Sequence, residues 1–431
     1  MTIKTRRFIS KKRSCSCSMP GVWRAVAYMT GAVVVFHSPR SCVHVAKTMN
    51  VNSYFRGLAR QENNIRQTCV PLISSLLTEK HSIFGGTKQL ERCLHYVIDN
   101  YRPKFIVIAN SCVAGVIGDD VDAVAGTVEM QSAVPILTVP CYGFLDGEYY
   151  AGFMYTALAI IDRFMEPALT READKVLLVG DQGGPDAPYA KETQHLLAYF
   201  KLKVLGQFPS YTAFSNLPEL SKANLTIIMG GQGPTSLCLT TIAQNLYNKL
   251  HIPYFDGGYP IGWQNTREWL KKLGTYLHLE QEAAVAIAME EMRLQQAVAE
   301  SKIKLQHKNV VFCMGRLLDY FQPQWVLEII KFAGMNLTGI IIFDSYMPED
   351  EVKVREKLCN LTKTKVYSQQ EGNKLLEEAD LILTTHEIFD NDKQLFLPML
   401  PAIGVSGIID FLSKMRRALS RHGHKGGIIY G

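Results

Sequence analysis

The chain has 431 residues, 47% of them hydrophobic and 20% charged, with a formal net charge of +6. That length exceeds a single ordinary core and predicts roughly two to four domains, while the composition excludes a disordered or fibrous chain. Part of the positive charge sits in Lys4, Arg6, Arg7, Lys11, Lys12 and Arg13, a local cluster that excludes a broad nucleic-acid face.

The basic start followed by the apolar run Ala25–Phe36 imitates a secretory signal, but Gly31 interrupts the run, Arg24 borders it, and Phe36–Cys42 offers no small-x-small cleavage site. A run of about a dozen residues is also too short for a bilayer, which needs ~20. No membrane segment is expected. The ten cysteines are irregularly spaced in a chain too long to need disulfide stapling, which predicts a reducing, cytoplasmic setting.

From Gly85 onward helical patterns alternate with short β-branched runs, the signature of βαβ units and parallel sheets. Thr87–Tyr101 carries Leu90, Cys93, Leu94 and Val97 on one helical face, and the strand Phe105–Ala109 follows, with Cys112 just past its end. Ligands of open α/β sheets gather beyond the carboxyl ends of strands. A second unit starts at Lys175–Gly180, passes through a helix near Thr193–Phe200 and strands at Leu202–Leu205 and Leu225–Met229, and ends near Gly274. Leu279–His307 reads as a long connecting helix with Val285, Ala288, Met289 and Met292 on one side. The third sheet has strands Val310–Met314, Gly339–Phe343, Lys365–Tyr367 and Leu381–Thr384, with helices around Leu317–Phe332, Glu351–Leu361 and Gly372–Glu378. The last helix, Gly407–Arg421, precedes a Gly-rich basic tail.

Three cysteines stand out by position. Cys17 precedes the Met19–Pro20–Gly21 turn into the first helix, Cys42 follows the run Ala32–Phe36 and a Pro-containing turn, and Cys112 follows a strand. At element ends a thiolate is held beside backbone N–H groups that lower its pKa. Soft thiolates from separate loops suit an iron–sulfur cluster better than a hard cation. Without a tight C-x-x-C pair, three buried structural cysteines is the plain alternative. Cys93 and Cys313 read as core thiols. Gly118–Asp119–Asp120 reads as a helix cap, and Gly230–Gly231–Gln232–Gly233 and Gly180–Asp181–Gln182–Gly183–Gly184 as turns, since they lack the spacing of a phosphate or dinucleotide loop. His37 and His44 are assigned to solvent or to the surroundings of Cys42.

The stretches Gly85–Leu90, Arg102–Ile108 and Ser111–Val121, with Cys112, Ile117, Gly118, Asp119 and Asp120 the most specific, closely resemble the component 1 family of nitrogenase-type oxidoreductases. The pattern continues in Val134–Ile136, Val139–Phe144 and Gly152, and upstream in Cys17 and Cys42, 25 residues apart around Pro20–Gly21 and His37–Cys42. The resemblance implies an α/β fold of three Rossmann-like domains with mainly parallel sheets. Their expected bounds are an N-terminal cluster-binding segment 1–60, a first domain 61–172, a second 173–278, a connecting helix 279–308, and a third domain with the last helix, 309–431.

It also implies that Cys17, Cys42 and Cys112 hold half of an interfacial iron–sulfur cluster, a [4Fe–4S] centre or a P-cluster-like [8Fe–7S] centre, with Cys15 the alternative to Cys17. The partners implied are a homologous component 1-type subunit, in a homo- or hetero-oligomer, and an ATP-dependent iron-protein reductase. The family's catalytic subunit anchors a large cofactor with one Cys and one His. Cys238 stands where that Cys is expected, as a candidate metal ligand or a buried helix thiol, but Ile403 occupies the matching His position, and Tyr149 and Phe153 stand where polar substrate-side groups belong. The expected function is an iron–sulfur oxidoreductase subunit passing electrons to a substrate other than dinitrogen; the alternative is a scaffold that assembles and transfers a nitrogenase-type cofactor.

Overall fold

The computed structural model describes residues 17–48, 69–145, 148–180, 184, 187–230, 234–314, 322–343, 348–385, 388, 393–397 and 401–420. Its first part runs α1 (Met19–Val26), β1 (Ala32–His37), a helix over residues 40–48 (α2), β2 (Leu72–Ser74), α3 (Glu79–Phe84), α4 (Thr87–Tyr101), β3 (Phe105–Asn110), α5 (Cys112–Ile117), α6 (Val121–Ser132), β4 (Ile136–Tyr142) and α7 (Tyr149–Phe164). The sheet is parallel throughout, in the order β2-β1-β3-β4.

Every residue of β1 and β3 is buried, as central strands of a sheet covered on both faces require. Successive side chains alternate between the faces. Val33, Val35, Ile106 and Ile108 pack under α4 and α6, whereas Val34, Phe36, Phe105, Val107 and Ala109 pack on the face with α1 and α7. The α4 face is the one its apolar spacing predicts: Leu90, Cys93, Leu94 and Val97 are its buried residues.

The second part comprises β5 (Glu172–Val179), α8 (Pro188–Ala198), β6 (Lys203–Phe208), α9 (Leu217–Leu220), β7 (Ala223–Ile228), α10 (Pro234–Leu250), β8 (Tyr254–Phe255) and α11 (Gly262–Leu277), with the parallel strand order β6-β5-β7-β8. After the long α12 (Glu280–Leu305) come β9 (Asn309–Met314), α13 (Gln324–Ala333), β10 (Asn336–Ile342), α14 (Pro348–Cys359), β11 (Val366–Ser368), α15 (Gln369–Glu378), β12 (Leu381–Thr384), β13 (Gln394–Phe396) and α16 (Gly404–Leu419). The third sheet is also parallel, in the order β11-β10-β9-β12-β13.

The sheets share helical layers. One core joins Leu177 and Val179 of β5 to the first sheet through α7 and α10. A larger one joins the opposite face of the second sheet, Val176 and Leu178, to Val310 and Phe312 of the third through α11, α12 and α16. No described helix is long and apolar enough to cross a membrane.

Four strands escaped the sequence reading: β4, whose seven residues carry Pro140 and end in a partly exposed stretch, and three short ones. Strands β2, β8 and β13 have three, two and three residues, too few to show a period. The α12 face bearing Val285, Met289 and Met292 is exposed, and its buried side is Ala283, Ala286, Glu290 and Leu294. Of the helix expected over Leu317–Phe332, the structure has α13 over Gln324–Ala333 with Pro323 as its cap, and residues 317–321 lie outside the described residues.

Candidate functional site: three thiols at the carboxyl end of the first sheet

Cys17 stands just ahead of α1. Ser18 donates to the Gly143 carbonyl from its backbone N–H and its hydroxyl, at 3.3 and 3.1 Å. Two glycines fix this end of α1 against α7: a Cβ at Gly21 would lie 1.8 Å from the Tyr149 carbonyl oxygen, and one at Gly152 would lie 1.9 Å from that of Ser18. Both helices approach backbone to backbone, which only glycine permits.

The same turn meets Cys112. Gly143 has φ +63°, and a Cβ there would sit 3.1 Å from the Cys112 backbone nitrogen and 3.5 Å from Cys17 Sγ. Two thiols far apart in sequence therefore border one turn. Cys112 opens α5, whose cap is Ser111, its hydroxyl accepting from the Ala114 N–H at 3.2 Å.

Cys42 lies in the first turn of α2, not in the loop ahead of it, and its N–H donates to the Pro39 carbonyl at 3.2 Å. Burial pushes its thiol above the ordinary value, hydrogen bonds from the Ser38 and Ser41 hydroxyls pull it back, and charge on Cys112 raises it again. Cys112 thus lies near enough to Cys42 for its charge to act on that thiol. All three thiols are half-buried.

Among the described residues no three His, Cys, Asp or Glu side chains are close enough to share one metal ion. A cluster asks for less, because each thiolate ligates its own iron and the sulfurs need only border one space. The donor set fits such a group: soft, half-buried and drawn from three segments. The buried Asn110 Oδ1, two residues before Cys112, has no hydrogen-bond partner among the described residues, the kind of buried acceptor that a bound group satisfies.

Behind the thiols lies a network the sequence reading missed. His37 is fully buried, with Nδ1 2.9 Å from Ser75 Oγ and Nε2 2.9 Å from Asp119 Oδ2. Asp119 Oδ1 accepts the Gly86 N–H at 2.7 Å. Burial lowers the His37 pKa and the bond to Asp119 opposes that shift. Asp120 does cap α6, accepting from the Ala123 N–H at 3.0 Å, whereas Asp119 faces inward. His44 is exposed.

Cys238 is not part of the trio. It lies half-buried on α10, its thiol pushed up first by burial and then by the Glu148 carboxylate. Ile403 is buried at the start of α16. Glu192 of α8 occupies that helix end, its Oε1 accepting the Ser406 N–H at 3.1 Å, and a Cβ at Gly404 would lie 2.3 Å from the same oxygen. Tyr259, stacked on Tyr189 at 5.5 Å, donates to the Pro401 carbonyl at 3.3 Å. Phe153 is a core residue. Cys15, Gly231–Gly233, Asp181–Gly183, the basic N-terminal cluster and the tail after Ser420 lie outside the described residues.

Residues 17–416 match the family described as nitrogenase component 1 type oxidoreductase. The nitrogenase iron-molybdenum cofactor biosynthesis protein NifE of Bradyrhizobium diazoefficiens is 22% identical over 82% of this chain and 62% of its own length. That of Rippkaea orientalis is 25% identical over 65% of this chain and 58% of its own. The nitrogenase molybdenum-iron protein alpha chain of Acidithiobacillus ferridurans is 22% identical over 75% of this chain and 66% of its own. The chain thus spans less than two thirds of the length of the two biosynthesis proteins. Nitrogenase Cp1 at pH 6.5 shares the fold, with a TM-score of 0.64 at 15% identity over 96% of this chain and 90% of that one. The match runs from the first of the three thiols into the last helix, and by it the chain belongs to the nitrogenase component 1 type oxidoreductases.

Proposed function

We propose that the protein is a scaffold on which a nitrogenase-type iron–sulfur cofactor is assembled and from which it passes to an acceptor. In this reading Cys17, Cys42 and Cys112 hold a resident cluster that a second component 1-type subunit completes. When bound, that cluster supplies one-electron chemistry. The chain's own residues present thiols from three segments, half-shielded from water, with the nearby Ser38 and Ser41 hydroxyls lowering the Cys42 thiol against the effect of burial.

The observation that carries the reading is Ile403. Where the catalytic subunits place an imidazole, this chain has a buried alkyl side chain, and the adjoining helix end is taken by Glu192. A scaffold needs to hold its cargo only until transfer, so a missing permanent anchor suits assembly better than turnover. The cofactor biosynthesis proteins among the relatives point the same way.

The resident cluster also supports a second reading, electron transfer from an ATP-dependent iron-protein reductase to a substrate other than dinitrogen. One experiment separates the two. Protein loaded with a radio-iron-labelled cofactor precursor is mixed with an apo-acceptor and a chelator. A scaffold delivers label to the acceptor ahead of the chelator and stops after one equivalent. Label retained while reduced reductase is oxidised repeatedly would overturn the scaffold reading in favour of the second.

A further inference from the structure

A buried carboxylate–imidazole pair is costly to desolvate and is seldom retained for stability alone, because apolar residues of similar volume do as well. The His37–Asp119 pair therefore calls for another role. His37 ends β1 and pairs with Asn110 of β3 in the parallel register. Its ring reaches Ser75, at the end of β2, and Asp119, in the turn after α5. Its carbonyl accepts both the Ser111 N–H, at 3.2 Å, and the Ser111 hydroxyl, at 2.9 Å.

Asp119 extends the link to the start of α4 through the Gly86 N–H. Gly86 is the residue that lets the carboxylate in, since a Cβ there would lie 2.5 Å from Asp119 Oδ2 and 3.1 Å from His37 Cε1. One buried pair thus ties together the carboxyl ends of three neighbouring strands and the turns that follow them. Cys42 rides on the first of those segments, five residues after His37, and Cys112 on another, one residue after Ser111. Cys17 is held differently, by Ser18 on Gly143.

We propose that the His37–Asp119 pair is a positioning device that sets the spacing of the Cys42 and Cys112 sulfurs and leaves Cys17 to a separate anchor. The purpose of that spacing rests on the cluster reading; its test does not. Without the carboxylate, the Gly86 N–H and the His37 Nε2 lose their buried partner, and the two segments open independently of the rest of the sheet.

The test is alkylation of the iron-free full-length chain by iodoacetamide, with each cysteine followed by peptide mass. Asp119→Ala should speed labelling of Cys42 and Cys112 by about tenfold, speed Cys17 much less, because its Ser18 anchor on Gly143 stays intact although that turn borders Cys112, and keep the buried Cys313 protected. Asp119→Asn should stay near wild type. Its amide oxygen still accepts the Gly86 N–H, and its NH2 reaches His37 Nε2 once the imidazole proton moves to Nδ1. Ser75→Ala, a milder break of the same link, should give a smaller acceleration confined to Cys42 and Cys112, and carries the test if Asp119→Ala fails to fold.

A second arm uses protein reconstituted with iron and sulfide under argon. Asp119→Ala should shift the electron paramagnetic resonance spectrum, and Asp119→Asn should restore it. Equal acceleration of Cys17, Cys42 and Cys112, or no acceleration at all, overturns the inference. Wild-type protein that takes up no iron defeats the cluster reading, and the alkylation pattern still decides the positioning role.

Discussion

A Cβ on Gly21 would stand 1.8 Å from the carbonyl oxygen of Tyr149. This contact, with its counterpart between Gly152 and Ser18, lets α1 lie on α7 and sets Cys17 beside the Gly143 turn. Gly21→Ala must push the two helices apart. Overpacking of this kind costs about 1–3 kcal/mol, occasionally more. Urea unfolding should show that loss for Gly21→Ala and for Gly152→Ala, with the double variant costing less than the sum because both changes spread the same interface. An unchanged midpoint for both would mean that α1 is not seated on α7.

Thiol chemistry should sort by burial. Cys313, fully buried, has its thiol pushed well above the ordinary value, and Cys93 is pushed up to about 11, in both cases by burial. Cys359 is exposed. In native iron-free protein, iodoacetamide should label Cys359 first, then the half-buried thiols, while Cys313 waits for global unfolding. Early labelling of Cys313 would show that the third sheet opens locally.

Glu290 makes stability depend on pH. Burial raises its pKa, but hydrogen bonds from His195 at 2.7 Å, from Arg293 and from Tyr199 at 2.8 Å more than offset that, and the net shift is downward. A depressed folded-state value means that the contribution is complete above the unfolded value, near 4.5, and is lost as pH falls through the folded one. Because Arg293 also reaches Ser406 at 2.9 Å, the group links α8, α12 and α16. Glu290→Gln should cost about 1.5–3 kcal/mol near neutrality, and its deficit against wild type should shrink below the unfolded value. A deficit that grows as pH falls would contradict this assignment.

The carboxyl end of the first sheet, which bears the thiols, is also apolar. Leu76, Ile83 and Phe84 follow β2, Val116 lies one turn past Cys112, and Phe144 and Leu145 follow β4, all exposed. Exposed apolar groups at one end of a sheet mark an interaction surface, which fits the proposed paired subunit. Replacing Phe144 and Leu145 by Ser should weaken association by about 2 kcal/mol or more without lowering the urea midpoint of the isolated chain. Sedimentation at several concentrations measures it, and unaltered association would place the partner elsewhere.

The parallel sheets were legible because their central strands are runs such as Val33–Val34–Val35 and Ile106–Val107–Ile108, buried on both faces and bounded by turns. The thiol positions were legible for the same reason, since each follows or precedes a recognisable element. What the sequence concealed was long-range pairing. Nothing local indicates that His37 will meet Asp119, or that Glu192 of the second sheet will take the N-terminus of the last helix. His37 and Asp119 each lie inside a stretch that carries the family resemblance, yet a side chain's inward or outward choice depends on the packing of several segments at once. Strands of two or three residues, such as Tyr254–Phe255, offer no period to read.

The most direct test of the account is the iron and acid-labile sulfide content of anaerobically purified protein, with its electron paramagnetic resonance spectrum, beside Cys17→Ala, Cys42→Ala and Cys112→Ala. Wild type, alone or reconstituted with its paired subunit, should hold iron and sulfide together, and each variant should lose them or change the spectrum while Cys313→Ala does neither. Folded wild-type protein that stays iron-free even with that subunit, or three variants that bind iron as wild type does, would contradict it.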